Sequence, residues 1–295
     1  MFQITREAQV PRELVPALDS SLLVLSETQL TFLHALVSPD DQELRRKILA
    51  VQKGAYERYP YPCIRSFHHV SLMASANPVY SAVLNAGRSG NTIFLDIGCC
   101  MGTDVRKLAF DGYPAPQILG CDLRQEYIDD GYKLYQDAAT CPIHFFTSDI
   151  FSVPVSFDAR TPGSADISTV TELVQLQGTV MHIYTGALFH LFDETTQYAI
   201  ALRVAALLKH EPGAIVFGRH SGLEHEGMID DHLGRTRYGH STTSWPLLWK
   251  KVFAEAEGAE FAETRVVTEV KREEHPYSLS RQRGQHMLIW SVRIL

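Results

Sequence analysis

Apolar and polar residues follow two different rhythms along the chain, and the rhythm changes near residue 91. From there on, short apolar runs predict strands at 92–97, 117–122, 144–147, 180–183 and 214–218. Helical spacing is found at 103–110, 126–138, 172–176, 194–209 and 245–257. Two further β-rich stretches follow at 261–271 and 286–294. Because alternating strands and helices are typical of parallel βαβ units, we expect an α/β domain with a seven-stranded, mostly parallel sheet and helices on both faces.

The first 90 residues have a different pattern, which predicts helices without strands. Residues 22–37 and 40–58 have helical spacing, and a short helix is predicted over 78–86, ending at Gly87. Between them, two prolines in YPYPCIRSFHHV (59–70) are expected to break any helix. We interpret residues 1–90 as a helical cap or lid and residues 91–295 as the sheet domain.

Composition and charge are typical of a globular protein that acts on small molecules. Hydrophobic residues make up 45% and charged residues 21%, which excludes a disordered chain. The net charge of −7 argues against a protein that clamps a phosphate backbone, so we expect no nucleic-acid partner.

Cysteine and histidine usage indicates a reducing compartment and no metal site. The five cysteines are scattered and form no CxxC pair, so we expect free thiols in a cytoplasmic protein. No run of about 18 apolar residues occurs, so we expect no membrane span. His225-Glu226 is followed by Ile229 where an HExxH zinc motif needs histidine, so we expect no metal.

The strongest chemical signal is a glycine-containing turn between a strand and a helix, FLDIGCCMGTDV at 94–105. Its pattern is Asp96-x-Gly98-x-x-x-Gly102, and glycine lets a backbone turn closely around a ligand at the start of a helix. Asp122 ends the next predicted strand, where a carboxylate can accept hydrogen bonds from a ribose diol. Cys100 stands where a dinucleotide-binding GxGxxG motif needs glycine, so that class is disfavoured. A Rossmann-like domain that has lost its ligand or binds a different one is the remaining alternative.

The D-x-G-x-x-x-G spacing resembles that of class I S-adenosylmethionine (SAM) methyltransferases, over about residues 90–295. The resemblance implies a Rossmann-like fold and SAM as the cofactor. It implies that the methionine part lies beside the 96–102 turn, the ribose beside the second strand end and the adenine beside the third. The residues implied to bind the cofactor are Asp96, Gly98, Cys99, Cys100, Gly102, Asp122, Leu123, Ser148, Asp149, Ile150, Ile183 and Tyr184.

Three longer segments resemble fungal methyltransferases of meroterpenoid clusters of the austinol, andrastin and terretonin type. The segments are YERYPYPCIRSF, LVQLQGTVMHIYTGALFHLFDETTQ and GHSTTSWPLLWKKV. This resemblance implies O-methylation of the carboxyl group of a farnesylated aromatic polyketide acid, which makes a small, largely apolar acid the expected partner.

Acceptor chemistry determines which side chains are needed on the other side of the site. A carboxylate is already anionic at neutral pH, whereas a phenol benefits from a general base. His190 follows the fourth predicted strand and is the candidate catalytic residue, with a buried structural histidine as the alternative. Candidate substrate-binding residues are Tyr61, Arg65, His69, Arg219, His240 and Trp245. An anionic acceptor calls for a local positive charge, which Arg65 or Arg219 would supply.

Two other functions stay open at this point. One is O- or C-methylation of a phenolic polyketide. The other is a non-catalytic role, in which the chain binds SAM and serves as a partner protein. A homodimer is also possible.

Overall fold

A seven-stranded sheet forms the centre of the computed structural model, which describes residues 15–89, 92–157, 166–186, 188–229, 237–273 and 285–295. Its strands are β1 (Phe94–Ile97), β2 (Ile118–Asp122), β3 (His144–Thr147), β4 (His182–Thr185), β5 (Ile215–Gly222), β8 (Val266–Glu273) and β9 (His286–Ile294). They lie in the order β3-β2-β1-β4-β5-β9-β8. The first five pair in parallel, and β9 is antiparallel to both of its neighbours. The predicted α/β fold is therefore confirmed.

Nine helices of the described residues surround or precede this sheet. They are α1 (Glu27–Leu36), α2 (Asp41–Arg58), α3 (Pro62–Arg65), α4 (Tyr80–Ser89), α5 (Thr103–Phe110), α6 (Gln125–Tyr135), α7 (Glu194–Leu207), α8 (Ser244–Glu257) and α9 (Ala259–Thr264). None of these described helices is long and apolar enough to cross a membrane.

Several predicted boundaries near the sheet are wrong. The fourth strand begins at His182 rather than 180, because pairing with β1 starts there while Val180 makes only an isolated bridge to Leu208. The fifth strand continues to Gly222, because β9 pairs with it along its whole length. A small hairpin of β6 (Gly227–Ile229) and β7 (Arg237–Gly239) was not predicted.

Helix boundaries also differ at three places. The first helix begins at Glu27, because Ser26 and Gln29 form a capping box there. The prolines of 59–70 do not exclude helix, since Pro62 occupies the first position of α3, where its missing N–H costs no hydrogen bond. Residues 261–264, expected to be β-rich, belong to α9.

Strand register sorts the side chains onto two faces of the sheet. Asp96 pairs with Tyr184, and Tyr184 with Phe217, so these three point to the same face, where α4 and α5 pack. Leu95 and Ile183 point to the other face, into the core formed with α7 and α8. The loops after the strands are consequently supported by two separate layers of packing.

The N-terminal helices pack on the sheet domain mainly through α6. Phe32 and Ile48 form a hydrophobic cluster with Leu134 of α6. Arg58 of α2 forms an ion pair with the buried Asp130 of α6. These contacts place the segment after α2 beside the turn that follows β1.

Candidate active site

The turn after β1 has the open geometry that a ligand requires. Gly98 (φ +84°) and Cys99 donate backbone hydrogen bonds to the Cys121 carbonyl of β2, at 2.8 and 3.0 Å. A Cβ atom built on Gly98 would meet nothing within 4 Å, so this residue borders open space. A Cβ atom on Gly102 (φ +69°) would collide with the Phe145 ring, so that glycine is needed for packing.

Asp122 is held in a fixed orientation at the carboxyl end of β2. One carboxylate oxygen accepts from the Cys100 N–H at 2.8 Å and the other accepts from the Arg124 N–H at 3.0 Å. Burial raises the pKa of Asp122. Each oxygen retains a second lone pair, so the side chain can also accept hydrogen bonds from ligand hydroxyls. Leu123, the next residue, is 58% exposed.

Two further carboxyl groups lie on the α5 side of the turn. Asp96 is buried, and its Oδ1 has no hydrogen-bond partner among the described residues. Burial raises the pKa of Asp96 well above its usual value, and the charges of Asp104 and Asp122 raise it further. Asp104, in the first turn of α5, accepts from the Ala74 N–H at 2.8 Å. Burial raises its pKa to about 7. A cationic ligand group would relieve this concentration of carboxyl groups.

Tyr184 and Arg219 belong to the same region. The Tyr184 hydroxyl is buried and has no partner among the described residues. Burial raises the pKa of this hydroxyl, and the charges of Asp104 and Asp96 add to the shift. Arg219 is half-buried, lowers the pKa of Asp104 against the effect of burial, and donates to the Met73 sulfur at 2.7 Å. Arg219 thus lies near Asp104, whereas the guanidinium whose charge acts on Asp122 is that of Arg124.

The end of β3 supplies residues that are mostly used by the protein itself. Ser148 Oγ accepts from the Leu173 N–H at 3.0 Å. Asp149 accepts from the Phe151 N–H at 2.9 Å and so caps a short 3-10 helix. The Ile150 side chain packs into the core beneath.

The prediction that Ile183 binds the cofactor does not agree with its position in the structure. Its side chain has no exposed surface and lies in the core on the face opposite to Asp96, so it does not reach the turn. The cause is that β4 ends at Thr185, so Ile183 lies inside the strand, where alternation places it on the face of Leu95.

A histidine cluster lies on the other face of the sheet, in the segment after β4, in β5 itself and in the segment after β7. His190, in a short helix after β4, has a half-buried ring 6.5 Å from that of His220. The His220 ring stacks on Trp245 at 4.8 Å and lies 5.8 Å from the ring of His240. His240 shares a hydrogen bond of 2.9 Å with Ser244. Burial lowers the pKa of His220 well below its usual value and that of His240 to about 4.

The prediction that Trp245 binds the substrate does not agree with its position in the structure either. It has no exposed surface and packs against Phe189, Trp249 and Trp290, so it belongs to the aromatic core and offers no surface to an acceptor. His240 is 2% exposed, and its contact with the acceptor stays a prediction. Of the residues proposed on this face, His190 alone is half-buried.

The three candidates from the cap have different surroundings. Tyr61 packs, partly buried, in the cluster that contains Met101 of the glycine turn. His69 is 4% exposed, and neither ring nitrogen has a partner among the described residues. Burial lowers the pKa of His69 to about 4. Arg65 donates instead to the Ala17 carbonyl at 2.8 Å, which ties the cap to itself.

The sequence did not predict a role for Asp104 or the contacts of Asn77. The Asn77 side-chain amide donates to the carbonyls of Gly218 and Trp290 at 3.2 and 3.1 Å. The available signals were an acidic residue in the first turn after Gly102 and an Asn-Pro pair before β1. Within the described ranges, no group of three or more histidine, cysteine or acidic side chains could hold a metal ion.

Known proteins resemble both parts of the chain. The family model described as the meroterpenoid methyltransferase N-terminal domain matches residues 22–70. The asnovolin E/chermesin D methyltransferase nvfJ of Aspergillus novofumigatus (strain IBT 16806) is 30% identical over 244 residues, which cover 82% of each chain. The O-methyltransferase phiE of Fungal sp. (strain ATCC 74256) is 35% identical over 210 residues, which cover 70% of this chain and 65% of phiE.

A solved structure shares only the broad outline of the fold. The phosphoethanolamine N-methyltransferase 2 of Haemonchus contortus aligns with a TM-score of 0.49 at 11% identity, over 82% of this chain and 60% of that one. At this level the similarity adds nothing to the strand order already described.

The chain belongs to the class I SAM-dependent methyltransferases. Within that class it is related to the fungal meroterpenoid methyltransferases, as the expected family resemblance indicated. The predicted cofactor, SAM, is confirmed at the level of the family. The residues present fit this cofactor, because Gly98 borders open space and the buried Asp96 has an unpartnered oxygen beside it.

Proposed function

We propose that the protein transfers the methyl group of SAM to the carboxyl group of a farnesylated aromatic polyketide acid and so forms a methyl ester. The observation that carries the transfer is the open turn at Gly98, which has Asp96 on one side and the oriented Asp122 on the other. Asp96 Oδ1 has no hydrogen-bond partner in the described part of the chain. A meroterpenoid acceptor is supported by the family match over residues 22–70 and by the similarity to nvfJ over 82% of the chain.

The chain's own residues would hold the two ends of the cofactor. Asp96 suits the α-ammonium group, because its free oxygen is buried where a cation offsets the cost of its charge. Asp122 suits the ribose hydroxyls, and Asp149 follows β3 on the side assigned to the adenine. Gly98 keeps the space between them clear of side chains. When bound, SAM supplies a sulfonium methyl that transfers in line to a nearby nucleophile.

Positioning is the main task on the acceptor side. Holding an acceptor oxygen in line with a reactive carbon supplies much of the rate, and a carboxylate needs no proton removed. His190 is the half-buried member of the histidine cluster, and we propose that it contacts the acceptor. The fully buried His220 lies behind it.

Activity against pH tests the choice of acceptor. With a carboxylate, turnover is expected to stay flat above about pH 6, whereas a phenol that depends on a base gives a rising limb. His190→Ala is expected to lower turnover more than SAM affinity, measured by calorimetry on the same preparation. A rising limb would favour phenol methylation, and SAM binding without any product would favour a non-catalytic partner.

A further inference from the structure

Residues 69–77 form a strap that is tied to two distant parts of the sheet domain. At its start, the Thr103 hydroxyl donates to the His69 carbonyl. In its middle, Asp104 accepts from the Ala74 N–H at 2.8 Å. At its end, the Asn77 side chain donates to the Gly218 carbonyl of β5 at 3.2 Å. The strap is therefore fixed by side chains rather than by regular secondary structure.

The order of the strands in the sheet shows which part of the sheet the strap crosses. Thr103 and Asp104 begin α5 directly after the turn of β1, while Gly218 lies on β5, and β4 lies between β1 and β5. The strap thus passes over the carboxyl end of β4, which is where ligands bind in sheets of this kind. The Tyr184 hydroxyl reaches the same end, because a Cβ atom on Gly186 would lie 2.8 Å from it.

Arg219 holds the middle of the strap from the β5 side. Its guanidinium donates to the Met73 sulfur at 2.7 Å, and the neighbouring Ala74 is held from the other side by Asp104. Thioether sulfur is a weak acceptor, and the charge of the guanidinium strengthens the hydrogen bond to it. Arg219 also lies close enough to the buried Asp104 to lower its pKa. Register places Arg219 on the face of Phe217 and Tyr184, away from the histidine cluster.

We propose that Arg219 is a positioning residue which acts through Met73. Together with Asp104 it keeps the strap closed over the cofactor and so sets how slowly the cofactor leaves. This replaces the expectation that Arg219 binds the carboxylate of the acceptor. It rests on the proposed function, because the enclosed ligand is SAM.

Arg219→Met tests this role with the full chain and SAM itself. The variant keeps an unbranched side chain for packing but removes the charge. The SAM dissociation rate, measured by stopped-flow chase with excess unlabelled SAM, is expected to rise about 10-fold, the size of effect for losing one charge-assisted hydrogen bond. The KM for the acceptor is expected to stay within about twofold of wild type at saturating SAM. Arg219→Lys should restore part of the slow dissociation.

Two further variants separate the strap from a general effect on folding. Met73→Leu removes the sulfur acceptor at similar volume and should also speed SAM release. Adding Asp104→Asn to Arg219→Met should speed release less than the two single effects combined, because Arg219 and Asp104 hold adjacent residues of the strap, Met73 and Ala74. Arg293→Met is the matched control, since Arg293 pairs with Ile215 at the other end of β5 and bonds Glu269. It should leave the dissociation rate unchanged.

Each outcome bears on one claim. An unchanged dissociation rate in Arg219→Met, or a raised acceptor KM with normal SAM release, would overturn the strap assignment. If Arg219→Met does not fold, the SAM dissociation rate of Met73→Leu is measured instead, and an unchanged rate would overturn the assignment. A wild-type chain that binds no SAM would instead refute the proposed function.

Discussion

At the scale of single residues, the glycine turn depends on two different physical demands. Gly98 leaves room beside the turn, whereas Gly102 avoids a collision with Phe145. Both have positive φ, which L side chains adopt at a cost of about 1–2 kcal/mol. The sequence spacing identified both positions but could not tell which one faces the ligand.

Gly98→Ala is expected to weaken SAM binding by at least about 10-fold, because the new methyl group would enter the space assigned to the cofactor. Gly258→Ala is a matched control, since Gly258 also has positive φ and open space around it but lies between α8 and α9. Both variants should lose similar thermal stability, and calorimetry should show a loss of SAM affinity in Gly98→Ala alone. Equal affinities in the two variants would place the cofactor elsewhere.

Titration of Asp104 is expected to make the free energy of unfolding depend on pH. Its pKa of about 7 in the folded protein lies above the ordinary 3.8, so the folded state binds this proton more tightly than the unfolded state. The stabilisation is present below about pH 4 and is lost as the pH rises through about 7.

Asp104→Asn keeps an oxygen for the Ala74 N–H and removes the ionisation. Thermal unfolding without SAM at pH 5.5 and 8.5 should show a smaller loss of Tm at high pH in the variant, with about 2–4 °C expected for each kcal/mol. Because the other titrating groups are common to both proteins, parallel curves would refute the assignment to Asp104.

The candidate site was predictable where residues are close in sequence. The glycine turn and Asp122 follow from strand, turn and spacing, and Asp96 follows from the family resemblance of that spacing. Asp104 acts through a contact 30 residues away and Asn77 through contacts 141 and 213 residues away, so no local pattern could reveal them.

At the scale of secondary structure, patterns located the elements and tertiary contacts set their ends. Gly87 was expected to end a helix, yet α4 continues through it to Ser89. Glycine is needed at this helical position for packing, because a Cβ atom on residue 87 would overlap the ring of Tyr113. Tyr113 is 1% exposed and its hydroxyl donates to the Thr92 carbonyl.

Gly87→Ala is therefore expected to destabilise the protein by about 1–3 kcal/mol, although alanine favours helix. Gly54→Ala in α2 provides the opposite case, since its Cβ would meet only the flexible end of Arg58 at 3.7 Å. That variant should be stabilised by up to about 1 kcal/mol. Urea unfolding of the two variants checks the pair, and a stabilised Gly87→Ala would contradict the packing argument.

At the scale of the whole molecule, the two faces of the sheet carry different groups of polar side chains. Its α5 face holds the acidic cluster with Arg219, and its α8 face holds the histidines and the aromatic core. The N-terminal part reaches both the glycine turn, through Met101, and β5, through Asn77. The sequence predicts His190, His240 and Arg219 as acceptor-side residues together, because positions near the ends of β4 and β5 do not reveal which face of the sheet each side chain takes.

The most direct test of the central claim is where the methyl group goes. The full-length protein would be incubated with SAM carrying a deuterated methyl group and a farnesylated aromatic acid that also has a phenol. Mass spectrometry and NMR of the product locate the label. The account predicts one added methyl group, present as an ester that mild alkali removes to regenerate the acid. Label on the phenol oxygen or on a ring carbon, or no transfer by a protein that binds SAM, would contradict it.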